Sequence, residues 1–174
     1  MQKTILSMIF LVVIGCQNTP PQSHKHNNPN GYLRMVGDTE FNPKTDDPNF
    51  KICHHDLVVQ YYGLGKTINY LGEKPALVKV FTDNCKMEKL KGETGFVTIR
   101  FIVNCQGQTG WFRLSQVNEK LEEITLDKRI TDQLLKLTKS LNGWQIGQYN
   151  NSVYDYYQYL TFKIIDGQLT DILP

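Results

Sequence analysis

The chain has 174 residues and a formal charge of +2, with Lys3 in the leader treated below and the other Lys and Arg interspersed with Asp and Glu. That length suits one domain plus appendages: a single core of this size buries about 70% of the unfolded chain's surface, and a second full domain is not expected. The even scatter of charge offers no electrostatic footprint for nucleic acid.

The chain begins "MQKTILSMIFLVVIGCQNT", one positive charge followed by an apolar run from Ile5 to Ile14 broken by Ser7. The run is too short to cross about 30 Å of hydrocarbon and reads as a cleaved signal peptide over residues 1–15. Its end, "VVIGC", resembles the lipobox of bacterial lipoproteins: branched Val13, then Ile14 and Gly15, then Cys16 as first residue of the mature chain. The resemblance implies that Cys16 is thioether-linked to diacylglycerol, often with its amine acylated. Two or three acyl chains at about 0.8 kcal/mol per buried methylene anchor stably where one is marginal. The other reading is an ordinary secretory signal that happens to contain a cysteine. Gln17 is not an acidic retention residue, so the expectation is an outer-membrane lipoprotein facing the periplasm.

From Cys16 to about Phe50 the chain is rich in Pro, Asn, Asp, Lys and His, as in "NTPPQSHKHNNPN" and "FNPKTDDPNF". Such composition offsets little of its ordering entropy by burial and reads as a flexible tether. The alternating His24 and His26 are expected to be solvated. Residues 51–91 read as a short N-terminal subdomain. In it "DLVVQYY" and "TINYLG" are candidate strands, and "EKPALVKVFTDNC" is an amphipathic helix with Pro75 in its first turn and Leu77, Val80, Phe81 and Cys85 on one face. The string "GLGKT" is no phosphate loop, because Gln60 stands where the motif needs a glycine.

In "GFVTIRFIVNCQGQTGWFRL", Val97, Ile99, Phe101 and Val103 alternate with polar residues, Gln106 and Gly107 make a turn, and "TGWFRLSQV" returns, which predicts a hairpin. Next, Leu126, Ile130, Leu134, Leu137 and Leu141 form the stripe of a helix with Thr125 as N-cap and Gly143 past its end. "VYDYYQYLTFKII" then predicts a last long strand ending at Asp166 and Gly167. With short connections, that last strand lies antiparallel beside the first strand of the hairpin, giving the order second, first, third. The expected fold is α+β: a small antiparallel sheet, hairpin plus C-terminal strand, covered by helices on one face and leaving the third strand on an open edge.

Residues 92–166, within a C-terminal domain taken as 92–174, resemble the TonB carboxy-terminal domain through Gly95, the strand and turn "VTIRFIVNCQG", Leu126 with Asp127 opening a helix, Trp144 with Ile146 and Gly147, and "YLTFKI". Gln106 replaces the usual Asp of the turn, and the Pro that commonly follows the tryptophan is missing. The resemblance implies a periplasmic module that adds an extended peptide of a transporter or other envelope protein to its sheet edge, by main-chain pairing with alternate side chains supplying specificity. On the expected edge strand, Tyr157 and Tyr159 would form the peptide-facing row; the alternative is that they simply cover the sheet. An energy-transducing TonB has an inner-membrane helix and a long spacer. The sequence shows neither, so force transmission is not expected.

With Cys16 taken by lipid, Cys53, Cys85 and Cys105 remain in an oxidising compartment. Cys85 follows an apolar stripe, whereas Cys53 and Cys105 sit in polar, irregular contexts, so the expected disulfide is Cys53–Cys105. A free thiol at Cys105 is the alternative. "CHHD" at residues 53–56 has zinc-binding residue types, but adjacent ligands cannot easily converge on one tetrahedral centre, so neither a metal nor a cofactor is expected. No serine, cysteine or carboxylate falls in a recognisable nucleophile or acid–base pattern, so the chain is read as a binding module rather than an enzyme. The alternatives are a self-associating envelope scaffold and, behind it, an uncharacterised hydrolase.

Overall fold

The computed structural model describes residues 39–54, 58–65, 68–87 and 89–173. The signal peptide, Cys16, His24 and His26 lie outside the described residues. The elements in chain order are β1 (Val58–Gln60), a 3₁₀ turn (Tyr61–Leu64), α1 (Glu73–Asn84), β2 (Gly95–Val103), β3 (Thr109–Val117), α2 (Lys128–Ser140), β4 (Gly147–Tyr149), β5 (Ser152–Ile165) and β6 (Gln168–Leu173).

All six strands belong to one mixed sheet in an α+β fold, with β5 at its centre. The hairpin and the C-terminal strand take the expected order, β3–β2–β5, antiparallel throughout. The remaining strands are where the sequence reading needs correction. β1 pairs in parallel with Asp155–Tyr157, and β6 pairs antiparallel with Thr161–Ile165, so β5 is an interior strand rather than an open edge. β4 forms a hairpin with the start of β5. Two short turns explain these extra strands. Asn150 and Asn151, and likewise Asp166 and Gly167, all have positive φ, the geometry that lets a two-residue turn match the twist of its flanking strands. Among the described residues of "TINYLG", which was read as a candidate strand, Tyr70 makes an isolated bridge with Trp144.

Alternation on β2 and β5 divides the sheet into two faces. On one, Val97, Ile99, Phe101, Leu160 and Phe162 are fully buried beneath Leu77 and Phe81 of α1 and Ile130 and Leu134 of α2, with the Phe81 and Phe162 rings 4.8 Å apart. Both helices thus cover one face, as expected. The helix cap is Asp127 instead of Thr125: the Asp127 carboxylate accepts from the Arg129 backbone N–H at 2.8 Å, satisfying an orphan donor of the first turn.

The other face is covered by residues 39–54, of which 39–50 were expected in the flexible tether and 51–54 at the start of the N-terminal subdomain. Ile52 packs with Ile102 and Tyr157, while Phe50, Val58 and Trp111 close the cluster. A β-bulge makes this possible, since Trp111 and Phe112 together face the single residue Phe101. Trp111 takes φ +53° and turns to this second face, 5.8 Å from the Phe41 ring, while Phe112 stacks on Phe101 at 5.2 Å on the helix side. Left-handed backbone costs a non-glycine residue about 1–2 kcal/mol, which burial of the indole offsets. Arg113 adds a polar clasp, donating to both Asp46 carboxylate oxygens at 2.7 Å and to the Glu40 carbonyl at 2.7 Å. These contacts order a proline- and aspartate-rich segment that its composition alone would leave loose.

Candidate functional site

Cys53 and Cys105 are joined by a disulfide with 6.0 Å between their Cα atoms, and Cys85 is free. Cys105 leads into the turn of the β2–β3 hairpin, and Cys53 ends the segment crossing the second face, so the bond ties that segment to the sheet. Behind it lies Asp155, fully buried at the start of the β1–β5 pairing. Its carboxylate accepts the backbone N–H of His54 at 2.6 Å and of Cys105 at 2.8 Å, one from each side of the disulfide. A buried charge held by two main-chain donors fixes both chains at once. Asn104 extends the junction, donating to the Lys51 carbonyl at 2.9 Å.

Of the "CHHD" string, His54 is half exposed with Nδ1 3.6 Å from Asp155, and His55 and Asp56 lie outside the described residues. The two sulfurs and the Asp155 carboxylate fall within 4.8 Å of one another. With the sulfurs bonded to each other, the set offers no thiolate to a cation.

Tyr157 and Tyr159 both stand on β5, and neither faces an open edge. Tyr157 is 4% exposed, its hydroxyl accepts the Thr39 backbone N–H at 3.0 Å, and the Arg100 guanidinium stacks 4.1 Å above its ring. Tyr159 meets Tyr61 edge to face at 5.1 Å. Along one side of β5 runs β2; along the other, β1 pairs with Asp155–Tyr157 and β6 with Thr161–Ile165, so β5 is flanked on both sides with Gln158–Leu160 between β1 and β6.

Open main chain occurs elsewhere. Among the described residues, no strand pairs with the outer edge of β6, and none pairs with the outer edge of β3 before its bridge from Val117 to Glu123. The two edges differ in their surroundings. The bulge and the residue 39–54 segment crowd β3, whereas β6 runs beside α1 with a groove between them of about 300 Å³. Val78, Phe81, Cys85 and Met87 line one wall of this groove, and Leu169 and Ile172 line the other. Lys74 and Asp171 approach to 3.5 Å between α1 and β6. Burial pushes the Cys85 thiol up to about 11, so at neutral pH it stays protonated and contributes apolar surface rather than a nucleophile.

Sequence reasoning missed this groove because β6 is only six residues long and follows what was read as the end of the fold. The signal that could have found it is "DG", a two-residue hairpin turn followed by "QLTDIL". No protein-family model, no curated protein and no solved structure matches this chain.

Proposed function

We propose that this protein is a lipid-anchored periplasmic binding module, held in the outer membrane through Cys16, that captures an extended segment of an envelope or transport protein by strand addition at β6. The observation that carries the reading is the outer edge of β6, which pairs with no strand among the described residues and lies beside the groove under α1. An edge strand supplies main-chain donors and acceptors, and a flanking groove selects alternate side chains. The resemblance to the TonB carboxy-terminal domain belongs to this proposal and is supported by the β3–β2–β5 strand order. The peptide-facing surface, however, moves from Tyr157 and Tyr159 on β5 to Leu169 and Ile172 on β6. The groove sets Val78, Met87 and Leu169 beside Thr82, Lys86 and Asp171, which favours a segment that alternates apolar with polar side chains.

The test is a photocrosslinking amino acid placed in living cells at exposed Thr170 of β6, with a second at Ser115 of β3 as control. The crosslinked segment is identified, and its synthetic peptide is added to the purified chain while amide hydrogen exchange is followed. The expected outcome is capture of one envelope protein from position 170 but not 115, and slowed exchange in β6 by about tenfold or more. Peptide binding that leaves β6 exchange unchanged would refute strand addition. The second reading, a scaffold that self-associates edge to edge, is favoured by the open edges of β1, β3 and β6 among the described residues. It requires concentration-dependent dimers in sedimentation.

A further inference from the structure

We infer a second binding site, for an uncharged saccharide, in the concavity between the β2–β3 turn and the chain entering β4. Its volume is about 520 Å³, inside the roughly 300–1,000 Å³ span of small-molecule sites. It shares no residue with the groove between α1 and β6. Three separate stretches build it: Leu64 with Asn69, Gln106 of the turn, and the run from Trp144 to Gln148.

The lining defines the ligand by exclusion and by match. None of the described lining residues carries a charge, which favours an uncharged ligand over a phosphate, a carboxylate or an ammonium. A peptide would need main-chain partners, and several of those in this wall are committed. The Gln145 N–H donates to the Asn69 carbonyl at 2.9 Å. The Gln145 carbonyl accepts from Tyr156 at 2.8 Å and from the Asn69 amide at 3.0 Å. The Gln106 N–H donates to Asn104 at 3.0 Å.

What the wall offers instead is side-chain carboxamide. Gln106, Gln145 and Gln148 are exposed, and their amide groups make no hydrogen bond among the described residues. A carboxamide donates and accepts side by side, as neighbouring sugar hydroxyls and acetamido groups do. Leu64 and Ile146, the latter 43% exposed, give the aliphatic contact that the C–H face of a pyranose or the methyl of an acetamido group can cover. The indole N–H of Trp144 in the same wall is buried with no acceptor among the described residues. The inferred ligand class is therefore a neutral oligosaccharide bearing acetamido groups.

The experiment uses the full lipidated chain in a zwitterionic, sugar-free detergent, followed by two-dimensional NMR of side-chain amides. The probe is the trisaccharide of β-1,4-linked N-acetylglucosamine. It is expected to shift the Gln106, Gln145 and Gln148 carboxamide signals and the Trp144 indole signal together, saturating with a Kd of about 1 mM or tighter. Combining Gln106→Ala with Gln148→Ala, two exposed positions outside the core, should weaken binding by about tenfold or more. The deacetylated trisaccharide, which places ammonium groups in the same concavity, should bind at least about tenfold more weakly. No saturable shift at these signals by about 20 mM probe, binding unchanged by the two substitutions, or equal binding of the cationic trisaccharide would each overturn the inference.

Discussion

Asp155 carries more of this structure than its place in the sequence suggests. Within "VYDYYQYL" it reads as one polar position in an aromatic strand, yet it is fully buried and binds the main chain on both sides of the disulfide. The legible signal was a lone acid between aromatic neighbours, a residue that strand interiors disfavour unless it has partners. Cys53 and Cys105, by contrast, could be paired from context, because Cys85 followed an apolar helical stripe and they did not. Replacing Asp155 by Ala removes the acceptor of two partly buried N–H donors, so Asp155→Ala should lower stability by about 2 kcal/mol in urea unfolding. Asp155→Asn keeps an acceptor oxygen for one of the two donors and should cost roughly half as much. Equal stability of Asp155→Ala and the parent would show that the carboxylate does not hold this junction.

At the scale of elements, periodicity located β2 and α2, the Gln106–Gly107 turn placed β3, and aromatic and β-branched content located β5. It failed for β4 and β6, whose pairing depends on two-residue turns more than on their own composition. It also failed for residues 39–54. Phe41, Phe50 and Ile52 are too sparse for any period, and what orders them is a surface made elsewhere: the bulge that turns Trp111 outward, Arg113 opposite Asp46, and a glycine under Phe50. Gly110 is that glycine; a Cβ there would lie 2.4 Å from Cγ of the Phe50 ring. Gly110→Ala should therefore cost about 1–3 kcal/mol by pushing the ring off the sheet. The penalty should largely vanish when Phe50 is also Ala, because the collision is then gone. A penalty of unchanged size in that double variant would place the strain in the backbone of β3 instead.

For the whole molecule, two layers of different kind meet on one sheet. The helix side is a continuous hydrophobic core, whereas the opposite side is a strap of irregular chain held by the small Ile52 cluster, the Arg113–Asp46 pair and the Cys53–Cys105 bond. The connection rule that ordered β3, β2 and β5 could not foresee the strap, which crosses the sheet without joining it. Nor could it foresee β1 arriving from the amino-terminal side to fill the flank of β5. The bond closes a stretch with a sequence separation of 52, and the chain-entropy account assigns such a closure at most about 4 kcal/mol. Because the helix-side core does not depend on the strap, reduction should act on the two layers unequally. With a dithiol reductant, amide exchange should rise across residues 39–54, while β2 and β5 amides keep their protection and the urea midpoint falls. Disulfide-intact and reduced protein with identical exchange in the strap would mean that Phe41, Phe50 and Arg113 suffice to hold it. Simultaneous loss of protection in strap and sheet would mean that both faces unfold as one unit.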